Sequence, residues 1–553
     1  MKKLFAFTLI LTLTGCAALP ISGPVRIGPE LTPNVDAQTF YYSPAGPVDG
    51  ATQAEILRGF LAAGTGPQND YAVAREFLSE SIRSSWNPNL EVLVQRQSPQ
   101  VTIGADNSAQ LSVDVSAQID ADGRYETNPA GTTRILNYQF VQEAGQWRLS
   151  FAPDATVLIR PVFEVVFRDY AIYFVDRQRR ALVPELRWFP STPATGTKLA
   201  NALLRGPSSW LRPAVISAIP SGTRLSIDAV TVERGVALVD LTARALVASR
   251  ADRSLMKAQL DATLSQLPNV QQVAISIERS SQETIEPAGQ LRTLGARSLV
   301  VLGDEGLEAI VSTETELLNA GEDFFELNPT SEIAISEQSK WLAALTPAGV
   351  IRTSSIDPGV AAELVDARAG IVGIEFDAQG YLWSLGRSRG SDVFATFTNG
   401  ERTRVSAPWL AGESVRGFNI SPEGSRIAIL VAGPERNRVL LSGIVRDSAG
   451  QPIEFATPIE IASEVAGPTQ MSWVDLTTVV VVNSIADFTN AVLVSVGGTS
   501  RIISALPNTA LIVGAGASSQ LYLLSKLGEL YRFTGSSWSI LRSDVKALTV
   551  VNR

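Results

Sequence analysis

The sequence contains no histidine and only one cysteine among its 553 residues. Histidine is the usual general base and the commonest transition-metal ligand, so its absence excludes Ser-His-Asp and Cys-His catalysis and argues against most metal-dependent hydrolases. A single cysteine excludes a disulfide within the chain. Carboxylate-only chemistry, as in glycoside hydrolysis, survives this exclusion, but no motif marks an Asp/Glu pair. We therefore predict no catalytic residue, no metal site and no cofactor.

Basic clusters and long apolar runs are also lacking. The formal net charge is −9 and the isoelectric point is about 5.0, and no Lys/Arg cluster has the density that binding to a phosphate backbone requires. Nucleic acid is therefore not an expected partner. No stretch of the chain approaches the ~18 apolar residues of a membrane-spanning helix. Hydrophobic residues nevertheless make up 45% of the sequence, which is enough for the cores of several domains.

The N-terminal segment has the features of an export signal. Two lysines precede an apolar stretch at residues 4–12, which is too short to cross a ~30 Å hydrocarbon core. The pattern Leu13-Thr14-Gly15-Cys16 that follows resembles a bacterial lipobox. The resemblance implies cleavage before Cys16, a diacylglycerol on its thiol and an acyl chain on its new amine. We predict a signal peptide at residues 1–15; the alternative is an ordinary signal with an incidental cysteine.

Residues 16–50 are rich in proline and glycine, and this composition predicts a tether. A flexible tether of this length would hold the first domain on the order of 30 Å from the lipid. The alternative is that part of the segment packs along a domain surface, which Tyr41 and Tyr42 favour near its end.

Residues 51–162 are predicted to form an N-terminal α+β domain. A helical stripe comes first, and Asp70 is a candidate N-cap for a second helix. Alternating apolar residues then predict an antiparallel sheet at 111–119, 136–140 and 147–151. The pattern leaves open whether this sheet surrounds a ligand cleft or a packed concavity.

Two short motifs and one basic turn resemble binding loops. In Asp120-Ala121-Asp122-Gly123, a calcium-loop register would place Pro129 where the bidentate glutamate belongs, so we predict a plain β-turn. Gly514-Ala515-Gly516 lacks the glycine spacing of a phosphate loop. The basic turn Arg177-Gln178-Arg179-Arg180 is interpreted as a solvated loop, with contact to a headgroup or an acidic partner as the alternative.

Residues 163–283 resemble the GerMN domain of exported bacterial proteins. The resemblance rests on three elements, which are Leu203-Leu204-Arg205-Gly206-Pro207, Ile219-Pro220-Ser221-Gly222-Thr223-Arg224-Leu225 and Val239-Asp240-Leu241. It implies an α+β fold and brings no established catalytic residue.

Residues 295–553 consist of short strand and turn patterns with a coarse repeat. Apolar anchors recur 40 to 52 residues apart at Val301, Leu342, Leu382, Ile427, Val479 and Leu521. This spacing predicts a β-propeller of about six four-stranded blades, and the alternative is a β-sandwich with accidental spacing. The stretch from Ser421 to Ile429 is similar to the repeat of TolB and WD40-type propellers.

The whole arrangement is multidomain, with two α+β domains followed by an all-β propeller, and it resembles the actinobacterial lipoprotein LpqB family. The resemblance implies a lipoprotein anchored on the extracytoplasmic face of the cell membrane. It also implies association with the extracytoplasmic domain of the sensor histidine kinase of an MtrA/MtrB two-component system, whose kinase chemistry would belong to the partner. The alternatives are a binding module for envelope glycan or a small ligand, through the propeller or the N-terminal cleft, and an envelope hydrolase using two carboxylates.

Overall fold

The computed structural model describes residues 44–552 with gaps at 283–290, 293–296, 312–313, 318–321, 329, 331, 338–339, 355–359, 388–391 and 486–487. The described chain is mostly β, with few helices, and is arranged as an N-terminal domain, a GerMN-like domain and a propeller. This confirms the predicted fold class.

The N-terminal domain begins with three helices, α1 Gln53–Ala63, α2 Ala72–Glu76 and α3 Glu80–Arg83. Its strands are β1 Glu91–Gln95, β2 Gln100–Ile103, β3 Ser108–Asp120, β4 Tyr125–Thr127, β5 Thr133–Glu143, β6 Gln146–Phe151 and β7 Ala155–Ile159. They pair in the order β6-β5-β3-β1-β7, with β2 and β4 also on the long β3. Helix α4, Arg160–Val166, leads to the next domain.

Helix α1 starts at a capping box and covers one face of this sheet. Thr52 N donates to Glu55 Oε2 (2.8 Å), and the Thr52 hydroxyl accepts from Glu55 N. Phe60 is buried, with its ring centroid 5.1 Å from that of Trp86 and 6.2 Å from that of Tyr138. The face of the sheet that α1 covers is therefore packed core rather than a ligand cleft.

The predicted N-cap at Asp70 is wrong. Asn69, Asp70 and Tyr71 all have positive φ (49°, 57° and 59°), so the chain makes a tight left-handed turn before α2 begins at Ala72. The Asp70 carboxylate instead accepts from Arg75 Nη2 at 2.5 Å.

The GerMN-like domain contains two sheets and two main helices. The first sheet pairs β8 Phe167–Asp176 with β9 Leu182–Pro190 and β10 Val215–Ile216, and the second has the order β11 Thr231–Glu233, β12 Val236–Leu241, β13 Gln272–Ile277 and β14 Ser280–Ser281. The helices are α5 Thr195–Arg205, a 3-10 turn Ala243–Val247 and α6 Arg250–Leu264. Gly206 ends α5 with φ 87°, a conformation that glycine adopts without strain.

Buried Gln259 joins helix α6 to the rest of this domain. Its amide Nε2 donates to Tyr173 O (2.8 Å) in β8, and its Oε1 accepts from Ala218 N (2.8 Å). Both ends of the buried amide are thus paired, as a polar group in a core requires.

Six sheets form the propeller within the described residues. Between the first and second of them lies the short helix α7, Glu322–Leu327. Blade 1 has β15 Arg297–Leu302, β16 Leu307–Val311, β17 Glu314–Leu317 and the C-terminal β39 Ala547–Asn552; blade 2 has β18 Ile333–Ile335, β19 Trp341–Thr346, β20 Gly349–Ser354 and β21 Glu363–Asp366; blade 3 has β22 Ile371–Phe376, β23 Leu382–Gly386, β24 Val393–Thr396 and β25 Arg402–Arg404.

The other three blades follow in chain order. Blade 4 has β26 Ser414–Ile420, β27 Arg426–Ala432, β28 Arg438–Arg446, β29 Pro452–Phe455 and β30 Ile459–Ile461; blade 5 has β31 Pro468–Trp473, β32 Thr478–Ile485, β33 Phe488–Ser495 and β34 Ser500–Ser504; blade 6 has β35 Thr509–Gly514, β36 Leu521–Ser525, β37 Leu530–Phe533 and β38 Trp538–Arg542. A 3-10 turn at Pro408–Leu410 links blades 3 and 4.

The ring closes because the last strand pairs with the first. β39 supplies the innermost strand of blade 1 by pairing antiparallel with β15, and the inner strands β18, β22, β26, β31, β35 and β39 contact one another around the centre. All six apolar anchors lie on the second strand of their blades. The spacing predicted the blades because each anchor is the buried middle of a repeated unit.

Candidate functional site

The predicted lipidation residue, Cys16, lies outside the described residues, as do the signal peptide and most of the tether. Its modification stays a prediction. In the part of the chain that the structure describes, no helix is both long and apolar enough to span a membrane.

A buried aspartate holds the inner turn of blade 3. Asp377 Oδ1 accepts from the backbone N–H groups of Gln379 and Tyr381, each at 2.9 Å, and Oδ2 accepts from Trp383 Nε1 at 2.8 Å. Arg446 Nη2, from blade 4, donates to the same Oδ2 at 2.5 Å. This carboxylate fixes its own turn and joins two blades.

The matching turn of blade 4 is built around Arg426. Its Nε donates to Glu423 Oε1 (2.7 Å), and the Arg426 and Glu423 side chains are 1% and 0% exposed. Arg426 Nη2 donates to Leu476 O of blade 5 (2.6 Å), and Nη1 donates to Pro184 O of the GerMN-like domain (3.3 Å). One guanidinium therefore connects two blades to a neighbouring domain.

Two glutamates at the inner strands accept hydrogen bonds from the next blade. Glu332 Oε1 accepts from Ile374 N (2.8 Å), and Glu375 Oε2 accepts from Ile420 N (2.8 Å). Burial raises the pKa of Glu332 to about 7 and that of Glu375 to about 8. Burial thus favours the protonated form of both carboxyl groups.

Amide side chains continue this pattern around the ring. Asn419 Oδ1 accepts from Trp473 N (2.6 Å), and Gln470 Oε1 accepts from Ile512 N (3.2 Å). These four side chains thus join blade 2 to 3, 3 to 4, 4 to 5 and 5 to 6. This is a structural role, and among the described residues no group of three or more Asp, Glu or Cys side chains could hold a metal ion.

The inner strands surround a central channel, and one end of this channel has little free space. Its cavity is about 30 Å³ and is lined by charged groups that include Arg297, Glu337 and Glu375. Burial lowers the pKa of Arg297, and the carboxylate of Glu375 opposes this shift. A cavity of ~10–15 Å³ is enough for one water, so this end of the channel has room for about two waters and is too small for a sugar ring.

The GerMN-like domain shares its apolar core with blades 4 and 5. Trp188 Nε1 donates to Gly497 O at 3.0 Å. Gly443 in β28 packs so closely that a Cβ there would lie 2.8 Å from the Ala214 Cβ and 3.2 Å from Trp210 O. Because a real Cβ does not approach this closely, only glycine fits here without movement.

The turn at residues 120–123 joins the N-terminal and GerMN-like domains. Gly123 N donates to Asp120 O (2.9 Å), which confirms a β-turn. Gly123 O accepts from Trp188 N (2.7 Å), and Asp122 pairs with Arg205 Nε at 2.5 Å. The sequence did not reveal that this turn lies at a domain contact. Its partner Arg205 belongs to the GerMN-like motif at 203–207, which was the one available signal.

Family models match three consecutive parts of the chain. A model described as the lipoprotein LpqB N-terminal domain matches residues 46–164, one described as sporulation and spore germination matches 171–283, and one described as the lipoprotein LpqB beta-propeller domain matches 322–547. The two LpqB models together cover more than half of the chain. The chain belongs to the LpqB lipoprotein family.

Relatives in this family align along most of their length. A protein of Bifidobacterium longum named lipoprotein LpqB is 28% identical over 478 residues, which are 80% of this chain and 78% of the relative. A protein of the same name from Thermobifida fusca is 25% identical over 535 residues, covering 84% of each chain. The shared name is that of a lipoprotein and denotes no enzymatic activity.

Proposed function

We propose that this LpqB-family protein is held on the extracytoplasmic face of the cell membrane by lipid on Cys16. The lipobox-like Leu13-Thr14-Gly15-Cys16 and the lipoprotein name of the relatives support this anchor. The first described residue, Pro44, follows Cys16 by 28 positions, so the tether gives the body reach from the lipid.

Replacing Cys16 by alanine tests the anchor. The Cys16→Ala variant keeps a folded body but leaves the membrane fraction, because the thiol that receives the lipid is gone. The measurement is fractionation after a high-salt wash without detergent, with mass spectrometry of the N-terminal peptide for the acyl groups. A variant that stays in the membrane pellet would contradict the anchor.

We further propose that the body is a non-enzymatic regulatory partner of a sensor histidine kinase of the MtrA/MtrB type, acting in envelope and division control. The observation that carries this is that buried contacts join all three domains. Arg426 to Pro184 and Trp188 to Gly497 join the GerMN-like domain to the propeller, and an apolar cluster around Trp188 joins it to the N-terminal domain. A body of this kind presents a fixed composite surface to a partner, while its buried polar groups serve structure. That the partner is a kinase is inferred from the family resemblance.

Cross-linking in intact membranes tests this partner. Wild-type protein cross-linked before solubilisation should recover the kinase, identified by mass spectrometry, and Cys16→Ala should recover much less because it is no longer concentrated at the membrane. Recovery of other envelope proteins with no kinase would refute the regulatory role while leaving the anchor intact.

A further inference from the structure

A cleft of about 140 Å³ opens between the N-terminal and GerMN-like domains, beside the turn at residues 120–123. Its floor is apolar and is built by strands of both domains, through Val92, Ile119, Phe167, Trp188 and Phe189. Concave sites at domain boundaries with an apolar floor and a few polar groups are where small ligands usually bind.

Helix α5 provides most of the polar rim. Lys198, Asn201 and Arg205 line the cleft, and their spacings of three and four residues place them on one helical face. Asn89 faces them from the N-terminal domain, and its Oδ1 accepts from Lys198 Nζ at 3.1 Å.

The other charged groups of the rim already have partners. Arg205 pairs with Asp122 at 2.5 Å, and Asp120 pairs with Arg124 at 3.1 Å. Lys198 differs, because no carboxylate of the described residues lies within ion-pair distance of its Nζ. The cleft therefore carries one unbalanced positive charge.

The surroundings of Lys198 make its charged form less favourable than in water. Burial lowers the pKa of the Lys198 ammonium, and Asp70, which opposes that shift, already binds Arg75. Nearby, the half-buried Asn201 side chain makes no hydrogen bond to the described residues. An incoming anion would give the ammonium a counter-ion and give the amide of Asn201 an acceptor.

We propose that this cleft binds a small amphiphilic carboxylate. Its carboxylate would accept hydrogen bonds from Lys198 Nζ and the Asn201 side-chain amide, and its apolar part would lie on Trp188 and Phe167. The cavity of about 140 Å³ is roughly ten times the ~10–15 Å³ that is enough for one water, which leaves room for a ligand the size of a single aromatic ring with one carboxylate. This proposal does not depend on the proposed anchor at Cys16 or on the proposed kinase partner.

The experiment uses the full-length lipoprotein in nanodiscs with 4-fluorobenzoate as the probe and neutral 4-fluorobenzamide as its uncharged counterpart. Fluorine-19 transverse relaxation reports binding in the millimolar range expected of so small a ligand. Lys198→Met removes the charge and keeps the length of the side chain, Lys198→Arg keeps the charge, and Lys257→Met removes a lysine that is paired with Asp261 outside the cleft.

The expected result is that wild-type protein binds the benzoate and binds the benzamide more weakly. Lys198→Met should weaken benzoate binding by roughly tenfold, as expected for a charge-assisted hydrogen bond, whereas Lys198→Arg and Lys257→Met should retain it. Thermal melting of each variant checks that it is folded. The proposal is overturned if wild-type protein does not bind the benzoate, if it binds both probes equally, or if Lys198→Met binds like wild type.

Discussion

The GerMN-like domain meets its two neighbours through buried contacts of different extent. Against the propeller it shares an apolar core, and the buried Arg426 crosses the boundary. Against the N-terminal domain the shared apolar cluster around Trp188 is smaller, and part-exposed pairs such as Arg205 with Asp122 lie beside an open cleft. Buried apolar area stabilises a boundary in proportion to its extent, whereas exposed ion pairs contribute little. The protein is therefore expected to be stiffer at the propeller boundary than at the N-terminal one.

Arg426→Met should have the largest effect, because it leaves the carboxylate of Glu423 buried without its partner and removes the bond to Pro184. Breaking a buried ion pair from one side lowers the free energy of unfolding by about 3–5 kcal/mol. Denaturant unfolding measures this loss. The control is Arg436→Met, whose pair with Glu460 is part-exposed and should contribute less than about 1 kcal/mol; equal losses in both variants would erase the contrast.

Gly443→Ala should weaken the packing at the same boundary, with a smaller loss of stability than Arg426→Met. Its new Cβ would come within 2.8 Å of the Ala214 Cβ, so the two domains must shift, at about 1–3 kcal/mol. Hydrogen exchange should increase at residues 210–216. Gly417→Ala is the matched control because a Cβ there meets no atom within 4 Å. Unchanged exchange in Gly443→Ala would show that the boundary is looser than its packing indicates.

Stability of the propeller side should fall as pH rises. The pKa of Glu375 is raised in the folded state to about 8 from an ordinary 4.5, so the folded protein holds this proton to higher pH than the unfolded chain. The stabilisation is complete below about pH 4.5 and is lost as pH rises through about 8. Glu375→Gln should match wild type at pH 5 and exceed it by about 2 kcal/mol at pH 9, because the charge of Arg297 offsets part of the cost of the buried carboxylate.

Thermal unfolding from pH 5 to 9 provides the measurement. Glu454→Gln, which changes an exposed glutamate in blade 4, should keep the wild-type pH slope. A Glu375→Gln variant that loses stability with pH as steeply as wild type would show that other groups cause the dependence, with Glu332 the first to test because burial also raises its pKa, to about 7.

Arg205→Gln should have the smallest effect on stability. The Arg205 side chain is 45% exposed, and Asp122 retains Arg124 at 2.9 Å, so the expected loss is at most about 1 kcal/mol. Hydrogen exchange at residues 119–124 should rise modestly. If Arg205→Gln lowered the free energy of unfolding as much as Arg426→Met, the two boundaries would contribute equally to stability, which would contradict the comparison.

Local patterns determined much of this architecture. The anchors Val301 to Leu521 predicted the blades because a propeller repeats one local unit, and Gly206 predicted the end of a helix because its conformation suits glycine. Asp70 failed as an N-cap because three successive left-handed residues delay the helix. Asn69 and Asp70 are residue types that favour this conformation, but Tyr71 is not, so the run of three was not predictable from propensity. The lipobox-like segment remains a prediction of sequence alone.

The sequence by itself determined the domain order, the repeat and the lack of histidine chemistry, since each depends on composition or on contacts between near neighbours. Only the tertiary structure decided that Arg426 reaches Pro184 in another domain, that Glu375 is buried beside Ile420, and that Lys198 faces Asn89 across a cleft. These pairs lie 242, 45 and 109 positions apart. Their environment is set by how complete domains pack, and no local pattern contains that information.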